Sequence, residues 1–154
     1  MKLTVEELSR LFEGRSKFVD RLAQYDDPLR RAREVLRSLA DEELREALNA
    51  HPRIGDRSVS AASVAEQGTQ EDQSIIAELN RLNRAYESKF GFRFVVFVNR
   101  RPRSQIIPVL RERLARTREQ EVATATDELV AIAEDRHRKR EEGRRKREEE
   151  RQGT

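Results

Sequence analysis

Cysteine and tryptophan are absent from this 154-residue chain, and its one methionine is the first residue. Without cysteine there are no disulfides, no thiolate nucleophile and no thiolate metal site. Histidine is scarce too. His51 and His137 are the two present, too few for most imidazole metal sites, so no metal is expected. No apolar run approaches the roughly 20 residues that cross a bilayer, so no membrane span is expected. The opening MKLTVEELSR lacks a basic flank followed by an apolar stretch, so no secretory signal is expected and a reducing, cytoplasmic setting is the default. The few glycines fall in neither GxGxxG nor GxxxxGK[ST], which excludes the usual phosphate loops. No serine sits in GxSxG, which excludes a hydrolase elbow.

What the chain has in abundance is charge, 40% of residues against 36% hydrophobic, with a net of +3. The excess sits at one end. Residues 136–154 (RHRKREEGRRKREEERQGT) carry nine Lys/Arg and five Glu, and no apolar side chain. Residues 1–135 hold 23 bases against 24 acids and are electrically balanced. The length fits one domain with a tail, divided as 1–136 and 137–154. With nothing to bury, the tail is expected to be solvated or disordered, or a frayed helix supported by i,i+4 pairs. Its acids alternate with its bases and it has no aromatic for stacking, so nucleic acid is not the expected partner.

Most of the chain reads as helix. Thr4 precedes Glu6 and Glu7, and Leu8, Leu11 and Phe12 recur at helical spacing. Phe18, Leu22 and Tyr25 continue an apolar face. Asp27-Pro28 opens a helix through Leu29, Ala32, Val35, Leu36 and Leu39. Asp41 is expected to cap a short helix that stops at Asn49-Ala50. The stretch HPRIGDRSVS (51–60) breaks the pattern, because Pro52 pushes His51 out of helical geometry and Gly55 allows a turn. A further helix is expected from near Ser60 to Gly68-Thr69. Residues 71–90 read as the longest clear helix, ended by Gly91. FRFVVFV (92–98) has strand propensity but no convincing partner strand, so an extended buried segment or a distorted helix is expected. Pro102 and Ser104 open the next helix, with Ile106, Ile107, Leu110 and Leu114 buried and Pro108 in its first turns. The last helix begins near Arg118 and passes Val122, Ala125, Leu129 and Ile132 into the tail. The fold class is all-α: a single-domain multi-helix bundle with a buried FGFRFVV segment and a charged C-terminal extension.

His51 is the most informative residue, because imidazole titrates near neutrality and suits proton transfer. A histidine at a helix C-terminus can equally be a plain cap, favoured by the dipole. Glu66-Gln67 could bind a polar heterocycle with ureido groups, since one accepts N–H bonds and the other both gives and takes; the pair can equally be ordinary surface. Arg57, Arg93 and Arg136 are candidates to hold a carboxylate through bidentate pairing, though arginine is common here. His137 is expected in solvent.

In combination these signals become specific. The order HPRIG (51–55), SxxEQ (63–67) and LNRLNRAYESKFGFRFVV (79–96) resembles the 2-oxo-4-hydroxy-4-carboxy-5-ureidoimidazoline (OHCU) decarboxylase family of uric acid degradation. The likeness continues through ERLARTREQEVATATDELVAIAEDR (112–136) and so covers most of residues 1–136. It implies an all-helical enzyme, a carbon–carbon lyase, without metal or organic cofactor. Such an enzyme removes the C4 carboxylate of an unstable imidazoline as CO2 and leaves S-allantoin. The family's essential histidine matches His51, its carboxylate Glu66 and its closing-helix arginine Arg136, the three expected catalytic residues. Substrate contacts are expected from Pro52, Ser63 and Gln67. The FGFxF stretch, here Phe90, Gly91, Phe92, Phe94, Val95 and Val96, is expected to line the pocket partly through backbone, with Phe92 and Phe94 offering an apolar wall. The resemblance also implies a small-molecule substrate and a homodimer. The ending RQGT is not the peroxisomal address of some relatives.

Two departures stand out. Arg93 replaces the proline many members have in FGFPF, and the tail is unusually long and charged. Two other readings compete with the enzyme. One is an inactive helical relative serving as a binding module, and the other is a nucleic-acid-binding helical protein acting through its basic tail.

Overall fold

The structure, a computed structural model, describes residues 1–54 and 70–153. Gly55, Arg57, Ser63, Glu66 and Gln67, and the helix expected from Ser60, lie outside the described residues. Among the described residues the fold is all-α, with no strand. The helices are α1 (Val5–Leu11), α2 (Lys17–Leu22), α3 (Pro28–Ser38), α4 (Asp41–Asn49), α5 (Gln70–Phe90), α6 (Arg103–Leu114) and α7 (Arg118–Gln152).

Local chemistry explains where they start. Thr4 and Glu7 form a reciprocal capping box at α1, and Thr117 and Gln120 do the same at α7. Ser16 caps α2 through Val19 N–H. Pro28 stands in the first turn of α3 after Asp27, whose side chain makes no capping bond. At α4 the cap is Ala40 and not Asp41, which is the first helical residue; Asp41, Glu42 and Glu43 then act on the helix dipole rather than on one N–H. Gly91 ends α5 at φ +81°, a conformation that glycine adopts without a Cβ penalty.

Packing runs α1 on α2 and α7, α2 on α3 and α4, α3 on α7, and α5 on α6. Phe12 and Phe18 meet edge to face at 4.9 Å beneath α1 and α2. Ile106 and Leu110 of α6 are buried as expected, but Ile107 and Leu114 are only half-buried. Arg113 is buried on that helix instead, at 4% exposure. Pro108 lies inside α6, beyond its first turn.

Residues 93–98 form neither helix nor strand, no strand lies beside them among the described residues, and side chains satisfy several backbone groups that a ladder would have paired. Arg113 Nη1 donates to Val95 O (2.6 Å), Arg101 Nη2 to Phe97 O (2.7 Å) and Arg101 Nε to Val98 O (3.0 Å). Arg118 Nε donates to Phe90 O at 3.2 Å. Phe90, Phe92 and Phe94 surround Tyr86 at ring distances of 4.6, 5.9 and 5.3 Å. The Tyr86 hydroxyl donates to Glu121, which also takes Arg113 (2.7 Å) and Arg116 (2.9 Å). Glu121 is fully buried, so this cluster ties α5, α6, α7 and the extended segment into one unit.

α7 continues without a break past residue 136 to Gln152, its side chains mostly exposed after His137. His137, expected in solvent, is half-buried and borders a groove with Leu3, Arg10 and Leu11, because α7 lies against α1 there.

Candidate active site

α4 ends at Asn49, and the chain turns out through Ala50, His51 and Pro52. His51 N–H still donates to Leu48 O at 3.2 Å, so the histidine hangs from the last turn of a helix rather than from a free loop. Its ring is largely buried, and Nδ1 is sealed from solvent with no hydrogen-bond partner among the described residues. Burial, with help from the Arg136 guanidinium, lowers the His51 pKa from 6.5 to about 4. Glu13 acts in the opposite direction and Arg93 in the same one. Near neutral pH the ring is therefore an uncharged base.

Arg136 reaches this place from α7. Its Nη1 donates to Leu11 O at 3.1 Å and its Nη2 is paired with Glu13. Those contacts leave N–H groups of the five-donor fork for a ligand. Glu13 follows directly on the end of α1 and has φ +67°, a left-handed conformation that costs a non-glycine residue free energy. It is held there between the helix end and Arg136.

On the other side of the loop, Arg93 Nη1 donates to Asn49 O (2.7 Å) and His51 O (3.3 Å). Its backbone N–H donates to Asn49 Oδ1 at 2.9 Å. Glu87 of α5 lies 3.8 Å from Arg93 Nε and takes a bidentate pair from Arg53 at 2.8–3.1 Å. Asn83 Nδ2 donates to Ile54 O at 3.0 Å, fixing the far end of the described loop.

The expected site residues thus divide. His51, Pro52 and Arg136 are brought together at partly accessible positions. Phe90, Phe92, Phe94, Val95 and Val96 are 0–3% exposed, and the phenylalanine rings pack round Tyr86 in the core. Gly91 is exposed. What this segment shows the histidine loop is the backbone and side chain of Arg93. Ser63, Glu66 and Gln67 lie outside the described residues. Glu13, Asn49 and Glu87 join the site without having been expected there. Each is an ordinary polar residue at a helix end or on a helix face, and only the tertiary contact gives it a role. Among the described residues no three His, Asp or Glu side chains gather as a metal site, and no helix is long and apolar enough to cross a membrane.

A relative from Haloferax volcanii, named 2-oxo-4-hydroxy-4-carboxy-5-ureidoimidazoline decarboxylase, is 33% identical over 114 residues, 70% of this chain and 68% of its own length. A solved OHCU decarboxylase, crystallised in the presence of (S)-allantoin, matches with a TM-score of 0.67 at 26% identity, covering 84% of this chain and 94% of that one. A solved (S)-allantoin synthase shares the fold, with a TM-score of 0.61 at 21% identity over 86% of this chain and 47% of the other. The model of the OHCU decarboxylase family matches residues 4–138, from the cap of α1 to just beyond Arg136. With α1 to α6, the histidine loop and the first part of α7 through Arg136 inside that span, the chain belongs to the OHCU decarboxylase family.

Proposed function

We propose that this protein decarboxylates 2-oxo-4-hydroxy-4-carboxy-5-ureidoimidazoline to S-allantoin in purine breakdown, with His51 as the proton-transfer group. The observation that carries the reading is a largely buried histidine, uncharged at neutral pH, beside a guanidinium anchored by a carboxylate and a carbonyl.

The chemistry fits such a group. The bond from C4 to its carboxylate breaks, CO2 leaves, and the electron pair passes into the ring. The 4-hydroxyl loses its proton as it becomes a carbonyl, and a ring carbon gains one on a single face. A neutral imidazole takes the first proton; the imidazolium so formed returns one to carbon, and a second proton, from water, neutralises the ring nitrogen that received the electron pair. The depressed pKa favours this order, base first and acid second, and makes His51 a strong donor once charged. Arg136 orients the carboxylate in the ground state through its remaining donors. As the anionic charge moves from the carboxylate into the ring, fixed donors stabilise it there. Glu66 and Gln67, matched to the family's SxxEQ motif, complete the proposal as the groups that read the ureido substituent, with Ser63 and Pro52 beside them. Phe90 to Val96 contribute as a rigid backbone wall, since their apolar side chains form core. The site is proposed to work without a cofactor, in a cytoplasmic homodimer.

The test is optical. Urate, urate oxidase and the hydrolase generate the substrate in the cuvette, and circular dichroism follows allantoin. The expected result is faster formation of an optically active product than by spontaneous decay. A racemic product at the uncatalysed rate would favour a binding module on the same fold.

A further inference from the structure

We propose that Arg93 is a positioning residue for His51, fastening the end of α4 and the histidine loop by contacts that a proline at this position cannot make. Proline has no N–H to donate to Asn49 Oδ1 and no side-chain donor for the carbonyls of Asn49 and His51.

The need for such a clamp follows from the helix itself. The last carbonyls of a helix lack partners, and a cation near them is favoured. α4 carries no basic residue in its last turn. Arg93 supplies the cation from the extended segment, and one Nη1 bridges two carbonyls on either side of Ala50. The segment that carries Arg93 is itself anchored, since Phe92 and Phe94 are core and Val95 O is held by buried Arg113. Glu87 faces Arg93 and also holds Arg53, so it braces both sides of the loop. His51 thus sits between a rigid wall and the α7 body. The charged groups that face or brace it among the described residues are Arg136 and Glu13 on one side and Arg93, Arg53 and Glu87 on the other. Arg93 therefore acts on the imidazole twice, through the loop's position and through its charge.

The kinetic arm of the test rests on the decarboxylase reading; the titration arm does not. Arg93→Met keeps most of the stem and removes the donors and the charge. It should lower kcat about tenfold with KM within about twofold, the split expected when placement rather than binding is lost. Removing the cation should also raise the His51 midpoint, read by proton NMR with His137→Gln for assignment. The acid limb of the rate profile should move to higher pH with it. Arg93→Lys keeps the charge but not the planar fork, so it should hold the midpoint near the parent's and recover kcat only in part. Parent-like kcat and midpoint in folded Arg93→Met would overturn the proposal. If that variant fails to fold, parent-like kcat in Arg93→Lys overturns the clamp. A parent without decarboxylase activity, together with a raised midpoint in Arg93→Met, would overturn the decarboxylase reading and leave the positioning role standing.

Discussion

Two clusters of arginine and glutamate lie in this protein, and they are built to opposite specifications. At Glu121 the carboxylate is fully buried and receives Tyr86, Arg113 and Arg116, with Arg113 also bonded to Val95 O and stacked 4.6 Å from the Phe94 ring centroid. At His51 the Arg136 and Glu13 side chains are about a third exposed, one imidazole nitrogen has no partner among the described residues, and Glu13 stands in a left-handed conformation. The first cluster spends most of its donors on itself and on the backbone, with Arg113 Nη2 left buried and without a hydrogen-bond partner among the described residues. The second keeps donors and a base uncommitted. Residue type alone does not separate structure from site; what does is whether the unpartnered atom belongs to a titratable base, as His51 Nδ1 does, or to a guanidinium already held by other bonds, as Arg113 Nη2 does. Burial raises the Tyr86 hydroxyl far above its ordinary pKa, which makes it a permanent donor and no acid at all. The same force on His51 leaves a neutral base.

The comparison is broken most sharply by exchanging the expected phenotypes. His51→Asn should lower the decarboxylation rate by roughly 100- to 10,000-fold, the usual worth of a general acid–base group, with the helical fold retained. More than about half the parent rate, measured by stopped assay on fresh substrate, would return His51 to the status of a helix cap. Glu121→Gln should do the reverse. It leaves the buried Arg113 charge without its counterion, a loss of about 3–5 kcal/mol. Urea titration should show that loss, with a melting temperature lower by around 10 °C at this size. Restoring an apolar pair, with Glu121→Leu beside Arg113→Met, should recover part of it, short of the bond to Val95 O. A mild Glu121→Gln phenotype would mean that water reaches the cluster.

A smaller effect separates the clusters by pH. The folded pKa of His51 is about 4 against 6.5 when unfolded, so the unfolded chain binds the extra proton first. Stability is unaffected by this group above about pH 6.5, falls as pH drops below it, and levels off below the folded value. From pH 7 to pH 5 the loss should be about 2 kcal/mol, a window in which carboxylates titrate little. His51→Asn should flatten that segment of the curve. An equal slope in both proteins would place the imidazole in solvent.

Much of the scaffold was legible in the sequence. Thr4, Pro28 and Gly91 mark helix boundaries through backbone chemistry that acts over three or four residues. The extended segment was legible as unpartnered from the lack of a second strand. What pairs its carbonyls was not, because Arg101, Arg113 and Arg118 look like surface residues in a chain with 32 Lys and Arg. Within the site, His51 and Arg136 were found from their motif positions. Glu13 was missed because its role exists only where the end of α1 meets α7, 123 positions away in sequence from Arg136. The apolar wall expected of Phe92 and Phe94 lies in the core for a similar reason: rings flanking a glycine are drawn to Tyr86, and the sequence pattern does not say which side of the segment faces the site.

The least effect should come from the end of α7. Residues 141–154 carry no apolar side chain, and only Glu141 and Gly143 among those described are half-buried. The ion pairs there include Arg144 with Glu141 (4.0 Å) and with Glu148 (3.6 Å), i,i+3 and i,i+4 contacts worth a few tenths of a kcal/mol each. A free peptide of that length would be a marginal helix in water. Here it propagates from a helix already nucleated and packed through Leu129, Val130 and Ala133. Removing it should therefore cost helical signal and little else. The truncated protein should keep the parent's rate and melt within about 2 °C of it, since less than about 1 kcal/mol is at stake. Far-ultraviolet ellipticity should fall by the share of helix removed. A drop above about 5 °C would show that Arg144 and Arg147, which border the groove beside Leu3 and Arg10, secure α1 through their stems. α1 would then depend on the tail as well as on the body, and Glu13 with it, so the truncated enzyme should also lose rate. A stability loss with the rate unchanged would separate the two, placing the packing at the outer end of α1 and leaving the Glu13–Arg136 pair to the domain alone.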